Sequence, residues 1–258
     1  MAARTKKQWY NKAMSRKQKH NYKARRLVAL LVIAITGLSG AIIELEARNW
    51  QGFGELPLTS EPAPIEVEEG QVLATEALSE LEVKGRAPRT GYARTQFGDG
   101  WLRGADGCDM RNVILRRDLT QVEVDEQCRV QSGHLKDVYT GKEIDFVRGP
   151  NASSDVQIDH VVALSNAWQT GARLLSPEER VAFSNDPLNL LAVDGGANQQ
   201  KGDGDAATWL PPQRGYRCSY VARQISVKTD YSLWITPPEK AAMERVLAQC
   251  PAQLLPQE

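Results

Sequence analysis

Two adjacent residues, Asp159 and His160, carry side chains suited to hydrolytic chemistry and stand at the end of a short alternating segment. In the segment 155–160 the apolar residues Val156 and Ile158 alternate with polar ones, which predicts a strand. Successive side chains of a strand point to opposite faces, so the carboxylate can bind a hard cation while the imidazole stays free to act as a base. An ordinary hydrogen-bonded Asp–His pair is the simpler alternative.

A second polar group, Asn198 and Lys201, follows the apolar run 188–193 and a Gly-Gly turn. Because they are three residues apart, a helix would place both on one face. The carbonyl oxygen of Asn suits Mg²⁺, and the ammonium of Lys suits a phosphate. Ligation by Asp159 and Asn198 alone would leave positions for water and a substrate phosphate, unlike a closed structural zinc site. The alternative is a solvated first helical turn.

These residues would be positioned by a strand, a connection, a second strand and a helix. The connection contains Ser176-Pro-Glu-Glu179, a capping box with proline at the first helical position, so a helix is predicted from about residue 177 towards Asn185. Thr236-Pro-Pro-Glu239 predicts the last helix in the same way. We therefore expect an α+β fold, in which a small hairpin-plus-helix metal core is set in mostly helical surroundings.

Residues 85–105 are rich in arginine, glycine and aromatic residues. Arginine donors and aromatic rings could grip a nucleic-acid strand, because guanidinium groups suit phosphate oxygens and rings stack on bases. The alternative is a loop-rich segment whose aromatic side chains fill the core. Asp109 can cap a following helix, on which Arg111, Arg116 and Arg117 lie; one of them could face a phosphate, although solvated arginines are the simpler interpretation.

The N-terminus predicts export. Residues 1–26 hold ten Lys or Arg and no acid, and residues 27–43 are 17 residues without a charge. That length is at the lower limit for spanning a hydrocarbon core of about 30 Å. We expect a basic cytoplasmic tail and a retained transmembrane anchor at 27–43, with a cleaved signal segment or a buried soluble helix as alternatives. With an anchor or a signal, the rest of the chain lies outside the cytoplasmic membrane.

Residues 44–71 are expected to form an acidic tether, and residues 72–258 the folded domain. Ten Glu and one base occur in residues 44–83, and prolines interrupt the segment, a composition that does not favour a packed core. From Lys84 onwards, 21 bases face 22 acids. The zero net charge of the whole chain therefore combines a basic N-terminal block, an acidic segment and a nearly neutral folded part.

The four cysteines agree with export. None has the C-x-x-C spacing of a zinc or thioredoxin-type site. In an oxidising compartment the economical pairing joins Cys108 to Cys128 and Cys218 to Cys250, and each bridge would contribute about 3 kcal/mol of stability. Four buried thiols are the alternative.

The residues discussed above also form motifs that resemble a known family. The motifs are Ile158-Asp-His-Val-Val-Ala-Leu164, Asn185-Asp-Pro-Leu-Asn-Leu-Leu-Ala-Val193, Asn198-Gln-Gln-Lys-Gly-Asp203 and Trp209-Leu-Pro211. They resemble the HNH endonucleases with a ββα-metal core (His-Me finger), and in particular the exported bacterial group with the GmrSD C-terminal-like (DUF1524) domain. The similarity extends over about residues 72–250, but the chain lacks the cysteines of a zinc knuckle around the motif.

The resemblance implies a role for each residue. His160 would be the general base, Asp159 and Asn198 the ligands of one divalent cation, Asn189 the residue that orients the catalytic loop, and Lys201 the lysine that follows in the family motif. By itself Asn189 would be an ordinary turn residue. The expected cation is Mg²⁺, with Mn²⁺ or Zn²⁺ as alternatives. A neutral imidazole is required, so activity should fall at acid pH, near or below the ordinary pKa of about 6.5.

The function expected from the sequence is metal-dependent hydrolysis of a nucleic acid, DNA in preference to RNA, outside the cytoplasmic membrane. The membrane would be contacted through residues 27–43, and no obligate protein partner is inferred. One alternative is a non-catalytic, membrane-tethered protein that binds nucleic acid or the envelope on a degenerate nuclease scaffold. This is favoured by the near-neutral domain, because strong non-specific DNA binders are usually basic. Another is a hydrolase of a different surface phosphodiester.

Overall fold

The computed structural model describes residues 70–149 and 152–256. The expectations for the basic tail 1–26, the apolar segment 27–43 and the tether up to residue 69 lie outside these residues. Within the described ranges, no helix combines the length and the apolar character needed to span a membrane.

The described residues form an α+β fold, as expected. Short 3₁₀ turns at Arg94–Phe97, Ala172–Leu174 and Arg214–Tyr216 join some of the elements. The helices and strands, in chain order, are α1 (Ala74–Glu80), α2 (Met110–Asp118), β1 (Thr120–Val124), β2 (Val130–Lys136), β3 (Glu143–Val147), α3 (Ala152–Asp155), β4 (Val156–His160), α4 (Leu164–Gln169), α5 (Pro177–Ser184), β5 (Leu190–Asp194), α6 (Gly195–Lys201), α7 (Arg217–Asp230) and α8 (Pro237–Leu247).

The strands form two separate antiparallel sheets. The first has the order β1-β2-β3, and the second consists of β4 and β5. In the second sheet Val156 is opposite Asp194, and His160 is opposite Leu190. Helix α6 begins directly after β5, so the chain follows the predicted order of strand, strand and helix.

The β4–β5 pair is buried on both faces because its side chains alternate between two parts of the core. Leu190 and Ala192 pack with Ile114 and Leu115 of α2 on one face. Leu191 and Val193 face the other way and belong to the core cluster that contains most of the buried apolar residues of α1, α7 and α8. This two-sided burial explains why β5 is a continuous apolar run rather than an alternating one.

The predicted helix starts are confirmed. The Ser176 hydroxyl oxygen accepts a hydrogen bond from the Glu179 amide, and the Glu179 carboxylate accepts one from the Ser176 amide, so the capping box is complete. The same reciprocal pair forms at the start of α8, and Asp109 caps α2 by accepting from the Asn112 amide. These bonds satisfy amide groups that have no partner within the helix.

The predicted Gly-Gly turn is wrong, because Gly195 and Gly196 form the first turn of α6. Asp194 caps this helix by accepting from the Ala197 amide. A Cβ at Gly195 would overlap the backbone carbonyl of Ser154. Glycine is therefore needed here for the close approach of α6 to α3, and not for a turn.

Both predicted disulfides are present. Cys108–Cys128 joins the segment before α2 to the β1–β2 connection, and Cys218–Cys250 joins the start of α7 to the segment after α8. The alternative of four buried thiols is thereby excluded.

Candidate functional site

His160 lies at the end of β4, where its imidazole is largely buried, with 7% of the residue exposed. Its Nε2 lies 2.9 Å from the backbone oxygen of Ser184. A carbonyl can only accept, so Nε2 carries the proton and Nδ1 is left as the acceptor. The ring of Trp101 stacks on the imidazole, with centroids 5.8 Å apart and planes 8° from parallel.

The environment of His160 keeps the imidazole neutral. Burial lowers its pKa from 6.5 to about 3, and the positive charges of Arg94 and Lys201 act in the same direction, while the hydrogen bond to Ser184 opposes them. The expectation that activity falls near or below pH 6.5 stays a prediction, and the lowered pKa of His160 moves the expected acid limit below 6.5.

Asp159 points to the opposite face of β4, as the strand geometry predicts, and its two carboxylate oxygens have different partners. The hydroxyl of Tyr139 donates to Oδ2 at 2.5 Å, and Nζ of Lys201 donates to Oδ1 at 2.8 Å. The pKa of Asp159 is raised overall, because burial outweighs the opposing effects of the Lys201 ammonium and the Tyr139 hydroxyl. An ionised carboxylate has about four lone-pair sites, so each oxygen can still accept one further ligand.

Lys201 binds Asp159 and the backbone of β4, and does not face the cavity where a substrate phosphate was expected to meet it. Its Nζ donates to Asp159 and to the backbone oxygen of His160, both at 2.8 Å, and the residue is 3% exposed. The ammonium is thus buried behind the end of β4 and does not line the cavity described below. An ammonium at this depth needs a carboxylate nearby, so the expected contact with a substrate phosphate gives way to a contact with Asp159.

Asn189 is fully buried just before β5 and binds the segment that follows His160. Its Oδ1 accepts from the Val162 amide at 2.8 Å, and its Nδ2 donates to the backbone oxygens of Val162 and Phe183 at 3.4 Å. Its backbone oxygen accepts from the Val161 amide at 2.8 Å. Where β4 ends and the chain turns away, the Asn189 side chain therefore supplies the hydrogen bonds that a neighbouring strand would otherwise make.

Asn198 is half-buried on α6, and its Nδ2 donates to Oε1 of Gln157 at 2.8 Å. No hydrogen bond from residues 70–149 or 152–256 occupies its carbonyl oxygen. Gln157 and Asp159 are two apart on β4, so they lie on the same face of the strand. The pair with Gln157 therefore holds Asn198 on the same side of the strand as Asp159.

A cavity of about 590 Å³ brings together Asp159, His160 and Asn198. Lys201 and Asn189 are not among the residues that line it. Its wall is built from the segment before α2, from α2 itself, from α4 and from the residues after α6. These lining residues include Arg89, Tyr92, Arg94, Trp101, Arg111, Ser165 and Asp203.

Both interpretations of residues 85–105 apply, to different side chains. Phe97 is buried in the core with Phe183 and Trp168, whereas Arg89, Arg94 and Trp101 line the cavity. Among the arginines of α2, Arg111 lines the cavity, while Arg117 binds the backbone oxygens of Pro187 and Leu190.

The side chains at the cavity fit a hard divalent cation. Asp159 and Asn198 offer oxygen donors, which suit Mg²⁺ or Mn²⁺. Most zinc sites use nitrogen and sulfur donors instead. Within the described part of the chain, no cluster of three or more His, Cys, Asp or Glu is arranged to hold a metal. An ion bound here would complete its coordination with water and substrate oxygens.

Several site residues could not be found from the sequence. Gln157 had a usable signal, because it lies two residues before Asp159 on a predicted strand. Trp101 belongs to the aromatic-rich segment 85–105, but nothing in the sequence links it to His160 or links Tyr139 to Asp159. These two residues lie 59 and 20 residues from their partners in the chain, and only packing brings them together.

Comparison with known proteins places this geometry in a family context. A family model described as "GmrSD restriction endonucleases, C-terminal domain" matches residues 109–246. A protein of Arthroderma benhamiae described as an "Uncharacterized secreted protein" is 39% identical over 194 residues, which cover 73% of this chain and 92% of that protein. No solved structure matches the chain significantly.

Proposed function

This chain belongs to the family of GmrSD restriction endonuclease C-terminal domains, and on that premise we propose that it is a metal-dependent endonuclease that hydrolyses phosphodiester bonds of DNA. The observation that carries the proposal is the cavity shared by Asp159, His160 and Asn198, with three arginines in its wall. A neutral base, oxygen donors for a cation and guanidinium groups for phosphates are the side chains that such a hydrolysis requires.

His160 is the proposed general base. Its Nδ1 takes a proton from a water molecule, whose oxygen attacks phosphorus in line as the bond to the 3′ oxygen breaks. The departing 3′ oxygen takes a proton from solvent water, so the products are a 5′-phosphate and a 3′-hydroxyl. The Nε2–H bond to Ser184 fixes the orientation of the ring and stabilises the imidazolium that forms. An incoming phosphate adds negative charge to the cavity, which raises the pKa of the imidazole and strengthens it as a base.

Asp159 and Asn198 would hold the cation. When bound, Mg²⁺ supplies positive charge that neutralises the phosphate and the departing oxygen. Lys201 and Tyr139 position the Asp159 carboxylate, and Asn189 positions the backbone after His160. The guanidinium groups of the cavity wall bind phosphate oxygens and hold the substrate strand in place.

We place this activity outside the cytoplasmic membrane. Disulfides are rare in the reducing cytoplasm, and this domain has two. The relative described as secreted supports the same location. A retained anchor at 27–43 and a cleaved signal segment are both compatible with it.

The experiment that tests the proposal compares the purified protein with His160→Ala on supercoiled plasmid, in Mg²⁺ and in EDTA. His134→Ala is the matched control, because His134 lies on β2 and pairs with Asp145, away from the cavity. We expect nicking by the wild type and by the control, abolition by EDTA, and a loss of about 100-fold or more for His160→Ala. Equal nicking by His160→Ala would refute the assignment of the base.

One observation favours a non-catalytic binding protein as the second candidate. Lys201 already neutralises Asp159, which weakens the attraction of the site for a cation. This candidate predicts DNA binding that is unchanged by EDTA and no cleavage under any metal, so the plasmid experiment separates the two.

A further inference from the structure

Three arginines of the cavity wall form no ion pair within residues 70–149 and 152–256. Arg89, Arg94 and Arg111 form no ion pair with any carboxylate in the part of the chain that the structure describes, although Arg86 pairs with Asp205 at 2.6 Å. Arg89 lies over the ring of Tyr92, and Arg111 reaches only the backbone oxygen of Val156, at 3.3 Å. Their positive charge is therefore available to an anion that enters the cavity.

The folded part carries no overall excess of positive charge. From Lys84 onwards, 21 bases are balanced by 22 acids. A protein that grips the outside of a duplex commonly contacts about 6 to 10 phosphates. Three arginines around one cavity match a stretch of about three phosphates, which is a short length of one strand.

The reacting groups also lie below the surface. His160 and Asp159 are 7% and 5% exposed, and the ring of Trp101 lies parallel to the imidazole with centroids 5.8 Å apart. A phosphate must therefore enter the cavity to reach Nδ1 of His160. A duplex is stiff, and pulling one of its strands away from its partner costs pairing and stacking energy. An unpaired strand bends into a cavity at little cost.

Flat surfaces suited to bases lie beside these arginines. Tyr92 and Trp101 line the cavity and are each partly exposed, and the guanidinium of Arg89 lies 5.0 Å from the Tyr92 ring centroid. Unpaired bases stack on aromatic rings and on guanidinium planes, whereas the faces of paired bases are covered by their neighbours in the duplex.

We infer that this cavity takes a single, unpaired DNA strand as its substrate, with two or three phosphates on Arg89, Arg94 and Arg111 and a base stacked beside Trp101. The inference rests on the proposed nuclease function and specifies its substrate class. Duplex DNA is then cut where its strands open, and intact duplex is a poor substrate.

The test uses the purified full chain and three DNA probes of one sequence: an unstructured 40-nucleotide strand, its fully paired duplex, and a duplex with eight unpaired central positions. Initial cleavage rates are measured in Mg²⁺, and binding is measured by fluorescence anisotropy in EDTA. We expect the single strand and the opened duplex to be cut and bound at least about tenfold better than the paired duplex, with cuts inside the opened region.

Salt dependence and variants test the contacts. Three phosphate contacts give a slope of log affinity against log salt of about −2 for a single strand, and Arg94→Gln should reduce its magnitude by about 0.7. Trp101→Leu should weaken single-strand binding by about 5- to 150-fold, the range for loss of one stacked base. Arg245→Gln is the control, because this exposed arginine of α8 does not line the cavity and should change neither quantity.

The outcomes are separable. Equal or better cleavage and binding of the paired duplex, or a salt slope steeper than about −5, would overturn the inference. If none of the three DNA probes is cut, the proposed nuclease function fails. The anisotropy comparison still decides the substrate class in that case, since preferential single-strand binding that is lost in Arg94→Gln supports it and equal binding refutes it.

Discussion

The buried imidazole of His160 makes a measurable contribution to the pH dependence of stability. Its pKa is about 3 in the folded protein and 6.5 in the unfolded chain. The unfolded state therefore binds more protons between these values, so this contribution is complete above pH 6.5 and is lost as pH falls towards 3. From the two values, the loss between pH 7 and pH 5 is about 2 kcal/mol of unfolding free energy.

The perturbation that isolates this contribution is His160→Gln. Glutamine cannot be protonated, and its amide can still donate to the Ser184 oxygen that Nε2 of the imidazole contacts. Urea unfolding of both proteins at pH 7 and pH 5, with the disulfides intact, gives four free energies. We expect the wild type to lose about 2 kcal/mol more than the variant over this interval.

The difference between the two proteins removes the contributions of groups that titrate in both, such as Asp186, whose pKa is raised by burial. If His160→Gln lost as much stability as the wild type, the imidazole would not be held neutral by burial. The description of His160 as a desolvated base would then be refuted.

Three further perturbations test the neighbouring groups. Lys201→Met should destabilise the fold by about 3–5 kcal/mol in urea unfolding, because it leaves the buried carboxylate of Asp159 without its cation, and adding Asp159→Asn should recover part of the loss. Asn198→Ala should raise the Mg²⁺ concentration for half-maximal cleavage and change the unfolding free energy by less than about 1 kcal/mol, since the side chain is only half-buried. Replacing Cys218 and Cys250 by serine should lower stability by about 3–4 kcal/mol, because the bridge spans 32 residues, and thermal unfolding measures it.

Each of these has its own contradicting result. A Lys201→Met protein as stable as the wild type would mean that Asp159 is solvated or protonated. Gln199→Ala is the matched control for Asn198→Ala, because Gln199 is the exposed neighbour on α6, and equal Mg²⁺ requirements in the two variants would remove Asn198 from the cation site. An unchanged melting temperature in the serine variant would show that packing alone holds α7 to the C-terminal segment.

Local patterns in the sequence were sufficient for the element order and for the main site residues. The alternation at Val156 and Ile158 indicated β4, the two capping boxes indicated the starts of α5 and α8, and cysteine spacing indicated both disulfides. Such signals are readable because capping and strand alternation involve residues only a few positions apart. The bulk of the predicted site likewise lies in two short motifs.

Tertiary structure decided what surrounds these motifs. The two glycines at 195 and 196 form a helix start because α3 packs against it, and Lys201 binds Asp159 because it lies on the buried side of α6, where its ammonium meets no solvent. The same holds for Trp101, which reaches His160 across 59 residues. Sequence alone determined which groups could do the chemistry. Whether a charge meets a carboxylate or a substrate phosphate depends on desolvation and on distant partners, and these exist only once the chain is packed.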